Sequence, residues 1–428
     1  MSSDTSSART DASTFPGSGE IRLPGIVNAH SHAFQRALAG GAERGHPSGD
    51  TFWGWRKRMY AFLEQLNPDD VEAIAAQLYL ELMQQGYTHV VEFHYLHHTP
   101  GGTPYDDPIE LSRRIVRAAE RAGIGLTLAP VLYTSGDFGG SPTSGGQMRF
   151  TTPVDRFVQM MEGCADLGVP LAVAPHSLRA VTPEQLDEVV RWWTGFRPGA
   201  PIHMHISEQV REVEASVAFS GQRPVEWLLE HQDVDARWNL VHATHLTTAE
   251  VTGLAESGAT VILCPSTEGN LGDGVFRLPE YLAADGRIAI GSDSHVSRSP
   301  AEELRLMEYA QRLSSQTRNV VAGLQDASTA RLLLDRLNAT ARTTSNSSLE
   351  GDAVVLDGDH PALVGRSGDE ALDAWVFSGN ETPVKRVEVG GVVRWDRDDP
   401  DAGAGAEARA RITNDFRRTM RRLQGGLT

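Results

Sequence analysis

The sequence predicts an α/β fold, a (β/α)8 TIM-like barrel, on three observations. Eight short apolar runs recur between Ile21 and His295. Most are separated by stretches of helical periodicity with helix punctuation, the pattern of a parallel sheet covered by helices. Several runs are apolar through their body and end in His, Glu, Asp, Tyr or Ser, as barrel strands do when their carboxyl ends carry the chemistry. The sequence shows no GxGxxG turn and no GxxxxGK[ST] loop that would favour a doubly wound nucleotide-binding sheet.

In chain order, residues 1–20 are rich in Ser, Thr, Asp and Gly and read as a flexible tail. Residues 21–345 hold the barrel. Its strands are IRLPGIVNAH, THVVEFHY, IGLTLAPVLY, PLAVAPHSL, PIHMHISE, NLVHATHL, ATVILCPST and RIAIGSDSH. The stretch NPDDVEAIAAQLYLELMQQG shows how the intervening helices are marked: Asn67 can cap, Pro68 suits the first helical position, Asp69 and Asp70 favour the positive end of the dipole, and Gly86 can stop it. Beyond Pro300 the pattern stays helical to about Leu337, and NATARTTSNSS reads as loose chain. Residues 346–400 form a small β unit in which DAVVLDGD, LDAWVFSG and VKRVEVGGVVRW read as strands, and residues 401–428 are a linker followed by a helix.

Composition narrows the function. The 428 residues are 40% hydrophobic and 22% charged, enough for a large core. With 56 acidic against 39 basic residues the formal charge is −17, which argues against nucleic acid or an anionic membrane as a partner. Two cysteines cannot build a disulfide framework, no apolar run approaches the length of a membrane helix, and the first residues lack a signal-peptide core. A cytoplasmic protein is expected.

The chemistry gathers at the strand ends. His30 and His32 are two apart at the end of the first strand, so both imidazoles can face one spot. His205 closes strand five, His242 falls in strand six and Asp293 ends strand eight. Two or three imidazoles plus a carboxylate, with room for water, suit a hydrolytic divalent metal. Buried histidines satisfied singly by hydrogen bonds would not be expected to collect at strand ends.

These segments resemble the amidohydrolase superfamily, in its mononuclear deaminase branch, and within it the formimidoylglutamate deiminase family. The resemblance is carried by PGIVNAHSHAFQRALAG, TFWGWRKRMY, GYTHVVEFHYLHH, GIGLTLAPVLY, APHSLRAV, HMHISEQ and GSDSH, over most of residues 21–320. It implies His30, His32, His205 and Asp293 as ligands of one Zn²⁺ per chain, Fe²⁺ and Mn²⁺ also being suited to such ligands. His203 faces the same side as His205, but His205 lies nearer the strand end and has Glu208 three residues on. Two-metal barrels of this superfamily bridge their ions with a carboxylated lysine on a central strand; Lys57 precedes strand two and Lys385 follows the barrel, so one metal is expected.

The implied reaction is hydrolytic deimination of N-formimino-L-glutamate to N-formyl-L-glutamate and ammonia, a step of histidine degradation. Asp293 would act as ligand and base, Glu208 would move protons onto the departing nitrogen, and His242 would orient the water and stabilise developing charge. Gln35, Arg56, Tyr95, His176 and Arg179 would bind the substrate's two carboxylates, the guanidinium forks being suited to them. His94, His97 and His98 read as loop or supporting residues, and His295 as a residue that could orient Asp293. The family pairs a longer N-terminal flank with C-terminal strands, so an abbreviated β-sandwich-like unit is expected here. A homodimer is the expected assembly and a small dicarboxylate the expected partner. An aminohydrolase of a nucleobase or other heterocycle is the alternative enzyme, though a flat neutral ring does not need two guanidinium groups. A catalytically silent binding protein is the alternative outside catalysis, though it would need no proton shuttle.

Overall fold

The first apolar run is divided between two sheets. In the computed structural model, which describes residues 13–14, 19–41, 43, 52–323 and 325–425, β1 (Ser13–Thr14) and β2 (Glu20–Pro24) lie in a small sheet, and β3 (Ile26–Ser31) is the first barrel strand. The chain changes sheets at Gly25, where a Cβ would stand 2.5 Å from Asp352 Cβ and 2.6 Å from Thr88 Oγ1. Glycine is required there by close approach. Residues 21–24, expected in the barrel, thus pair outside it. Residues 1–12 and 15–18 of the expected tail lie outside the described residues.

The remaining barrel strands are β4 (Tyr87–His94), β5 (Gly125–Leu132), β6 (Ala174–Pro175), β7 (Ile202–Ile206), β8 (Trp238–His242), β9 (Thr260–Leu263) and β10 (Arg287–Ile290). Parallel ladders run β3-β4-β5-β6 and β7-β8-β9-β10, and the bridges Val173–Ile202 and Ser31–Asp293 close the ring. Strands covered on both faces are buried along their length, and every residue of β3, β4, β7, β8 and β9 is buried, the polar ones included. The helix Pro68–Gln84 begins with a capping box, Asn67 accepting from Asp70 N at 3.0 Å and Asp70 from Asn67 N at 2.9 Å.

Two stretches differ from their sequence reading. NATARTTS is not loose: the helix Thr329–Ser345 runs through it, with Thr340, Thr344 and Ser345 buried and Thr340 Oγ1 donating to Ile288 O at 2.8 Å. Burial of these small hydroxyls against the barrel overrides their weak helix preference. LDAWVFSG belongs to the helix Gly368–Phe377, whose buried Leu372, Trp375 and Val376 follow helical spacing.

Among the described residues the small unit is one antiparallel five-stranded sheet and not a sandwich, in the order β1-β2-β11-β12-β13, with β11 (Ala353–Asp357), β12 (Val384–Val389) and β13 (Val392–Asp396). On its N-terminal side β2 pairs with β11 along its whole length, from Glu20–Asp357 to Pro24–Ala353. The helix Gly405–Gly425 returns to the barrel wall, where Asp415 pairs with Arg121 at 2.6 Å and Arg422 pairs with Asp70. Among the described residues no helix is long and apolar enough to cross a membrane.

Candidate active site

At the carboxyl ends of the strands, His30 Nε2 lies 3.1 Å from His32 Nε2 and 3.1 Å from His205 Nε2. Asp293 Oδ1 stands 3.4 Å from His32 Nε2 and 3.7 Å from His30 Nε2. The Nδ1 atoms of His32 and His205 reach the carbonyls of Phe93 (3.0 Å) and His176 (3.2 Å). A carbonyl only accepts, so both rings carry their proton on Nδ1 and turn an Nε2 lone pair inward. Burial lowers all three imidazoles, His32 to about 3, and keeps them neutral. Converging lone pairs at this spacing suit a shared cation: tetrahedral ligands about 2.0–2.1 Å from a zinc ion lie roughly 3.4 Å from one another. The donor set fits a divalent metal. His203 lies deeper, with Nε2 donating to Thr344 O at 3.1 Å.

Beside this set, His242 Nε2 is 3.7 Å from Asp293 Oδ2 and 3.8 Å from Glu208 Oε1. Its Nδ1 faces Glu268 Oε1 at 3.3 Å, and Glu268 is fixed by Cys264 N at 2.9 Å. Burial opposes charge on His242, but Glu208, Glu268 and Asp293 outweigh it and hold its pKa at about 10. Asp293 is pushed up to about 7 by burial against the pull of His242, with Glu208 and Glu268 adding to the rise. The loop bearing Glu208 is anchored by the Glu212 carboxylate, which accepts from Ser207 N (3.2 Å) and Glu208 N (3.0 Å).

Backbone strain collects here. Ser207, His242, Ala243, Asp293 and His295, all at the ends of strands five, six and eight, have φ between 45° and 69°. Each such residue costs about 1–3 kcal/mol and persists only where its surroundings impose it, a pattern typical of functional sites.

Above the centre lies an open cleft with His32, His205, Glu208, His242 and Asp293 at its base. Gln35, Arg56, Tyr95, His176 and Arg179 all line its wall. Gln35 Nε2 donates to Tyr95 OH at 2.8 Å. Arg56, on the helix Phe52–Leu63, donates to Tyr60 OH at 2.5 Å and Tyr133 OH at 3.2 Å. Arg179 is buried, and its Nε has no protein partner among the described residues. His97 and His98 spend their Nε2 atoms on Val131 O (2.9 Å) and Thr151 O (3.0 Å), as loop supports. His295 does not bond Asp293; its ring faces Ser292 Oγ at 2.9 Å and Ser31 Oγ at 3.3 Å. Lys385 pairs with Glu20 in the small sheet at 3.0 Å, and the Lys57 side chain lies outside the described residues.

Trp55, which the sequence suggests as lid packing over the mouth, lines the cleft, and sequence reasoning missed Met59, Tyr60, Tyr133 and Phe150, which line it too. Tyr133 could have been found, since it is the polar end of the third apolar run. Glu268 and Glu92 were also missed. Glu92, inside β4, accepts from Ser31 Oγ (2.5 Å) and Ala33 N (2.7 Å) and so braces the His30–His32 segment; burial raises its pKa to about 7.

The family model described as "Amidohydrolase family" matches residues 21–329. The chain is 46% identical to formimidoylglutamate deiminase of Pseudomonas aeruginosa over 404 residues, covering 92% of this chain and 88% of that one. It superposes on the crystal structure of an amidohydrolase from Brucella melitensis with a TM-score of 0.86 at 44% identity, covering 94% and 90% of the two chains. An atrazine chlorohydrolase from Arthrobacter aurescens TC1 complexed with zinc shares the fold, with a TM-score of 0.76 at 21% identity over 93% of this chain and 88% of that one.

Proposed function

The chain belongs to the amidohydrolase family, and from that premise we infer that it hydrolyses the formimino group of N-formimino-L-glutamate, leaving N-formyl-L-glutamate and ammonia. It is a metal-dependent hydrolase acting on a C–N bond, and its place is histidine degradation. The observation that carries this reading is the pairing, in one cleft, of an imidazole–carboxylate centre with two guanidinium groups, Arg56 and Arg179. A substrate with an amidine at one end and two carboxylates at the other needs both. The nucleobase alternative leaves the two guanidinium groups without a role.

In this reading His30, His32, His205 and Asp293 hold one divalent cation, zinc by preference. When bound it would supply the Lewis acidity that makes water a nucleophile near neutral pH. Arg179 and Arg56 grip the carboxylates, with Gln35, Tyr95 and His176 shaping the passage between them and the centre. Asp293 takes a proton from the attacking water as its oxygen bonds to the formimino carbon. His242, its ring turned by Glu268, donates from Nε2 to the oxygen on which charge develops. Glu208 carries a proton to the nitrogen; the C–N bond breaks, ammonia leaves, and the C=O of the formyl group forms. We further propose a cytoplasmic homodimer. The exposed Val210, Val217 and Phe219 on the helix Val210–Ser220 support a self-association face, testable by sedimentation.

The deciding experiment is ammonia release from N-formimino-L-glutamate by zinc-loaded protein, with guanine and a chelator-treated sample as controls. Release from formiminoglutamate alone, abolished by chelation, is expected, with about one metal per chain. Silence on that substrate at full metal content would overturn the substrate assignment. Two metals per chain would overturn the single-ion reading.

A further inference from the structure

The turn Gly145–Phe150 touches the substrate side of the cleft from behind, and no role has been assigned to it so far. Only Phe150 of this segment lines the cleft, packing against Tyr95 with ring centroids 4.7 Å apart. Gly146 and Arg149 meet the helix Phe52–Leu63, which supplies Trp55, Arg56, Met59 and Tyr60 to the wall, and Gln147 reaches it through Tyr133. Gly146 lies so close to that helix that a Cβ would stand 2.6 Å from Tyr60 Cβ. Gln147 donates to Tyr133 OH at 2.8 Å, and the same oxygen accepts from Arg56. Gln147 Oε1 is meanwhile occupied by Ser144 N at 3.2 Å, which leaves the amide little freedom to turn.

Arg149 is the most telling residue. Its guanidinium is buried, and its Nε and Nη1 donate to main-chain carbonyls: His98 O at 2.9 Å, Leu66 O at 3.1 Å and Leu63 O. Leu63 ends the Arg56 helix, where carbonyls lack intrahelical partners and a cation is favoured. The Arg149 carbonyl in turn accepts from His97 N (2.9 Å) and His98 N (3.0 Å), on the loop that follows Tyr95. One turn therefore sets the position of Arg56, of Tyr133 and of the Tyr95 loop, and none of its own charge reaches the substrate.

We propose that Gln147 and Arg149 are positioning residues that set the preference for a two-carboxylate substrate, by holding the Arg56 helix where its guanidinium meets the distal carboxylate. This rests on the deiminase reading above and extends it to selectivity. A staple of general stability would lower all activities together. A positioning residue for the carboxylate end lowers only those that use that end.

The test compares N-formimino-L-glutamate with N-formiminoglycine, which keeps the amidine and one carboxylate, in wild type, Arg149→Met and Gln147→Leu. Glutarate binding is measured by calorimetry and metal content is checked in each variant. The expected result is a fall of about 10- to 100-fold in kcat/KM for the glutamate substrate, carried by KM, with the glycine substrate within about twofold of wild type. Glutarate binding should weaken in parallel at unchanged metal content. Equal losses on both substrates, or no loss on either, would overturn the proposal. If Arg149→Met fails to fold, Gln147→Leu decides by the same criteria. If wild type turns over neither substrate, the deiminase reading fails, and the glutarate titration still decides the positioning role.

Discussion

Replacing Arg179 by methionine keeps most of the side chain's volume and removes its charge. The residue follows β6, lines the cleft, is buried, and its Nε has no partner among the described residues. A hydrogen bond to a charged partner contributes about 1.5–3 kcal/mol. Loss of the carboxylate contact should therefore lower kcat/KM by about 10- to 150-fold, at 1.36 kcal/mol per decade. Most of the loss should fall on KM, because Arg179 belongs to the carboxylate end and not to the reacting carbon. A second effect follows from Glu212, whose pKa is raised by burial and pulled back by Arg179. Without Arg179 it rises further, so the carboxylate that anchors Ser207 N and Glu208 N takes up its proton at higher pH. The acid limb of the variant's kcat profile should move to higher pH. Steady-state ammonia release across pH, at measured metal content, reads both effects. A kcat/KM within about twofold of wild type would refute the assignment, and a kcat loss at unchanged KM would refute the argument about capture.

Other outcomes can be checked with standard assays. Glu208→Gln should bind metal normally while kcat falls roughly 10²-fold or more, and near-normal turnover would remove Glu208 from proton transfer. Gly291→Ala places a Cβ 2.6 Å from His30 Cβ and 3.0 Å from Cys264 Sγ, so metal affinity should fall by about 10-fold or more in a competition titration. Unaltered affinity would mean that β10 yields instead. In the small sheet, Arg22 hydrogen-bonds Glu388 (2.6 Å) and Arg386 hydrogen-bonds Glu20 (3.1 Å), and each pairing lowers its carboxylate below the ordinary value of 4.5. A depressed carboxylate stabilises the fold above that value, and the contribution is lost as pH falls through the folded pKa. Glu388→Gln should therefore flatten the acid limb of a Tm-against-pH curve, and an unchanged limb would show that the pair contributes nothing measurable.

The barrel was legible because parallel strands buried on both faces read as apolar runs, and because the same runs carry their polar residues at one end. Hence the sequence pointed to His30, His32, His205, His242 and Asp293 together. It was less informative where tertiary contact decides. Pro24–Gly25 does not interrupt the apolar pattern of IRLPGIVNAH, so a change of sheet was invisible. NATARTTS has the composition of a loop, and only the barrel surface beneath it makes it helical. LDAWVFSG satisfies strand and helix templates alike over so short a span. Tyr60 and Phe150 reach the cleft from outside the strands, where no periodicity marks them.

The pairing of β2 with β11 has a consequence for how the protein is made. The two partners are roughly 330 residues apart in the chain, so at a synthesis rate of about 5–20 residues per second β2 waits some tens of seconds for its neighbour. During that interval the strand leading directly into His30 and His32 has an unpaired edge and no fixed anchor. Metal capture is therefore expected to follow the emergence of β11 from the ribosome, and nascent chains stopped before β11 should bind none.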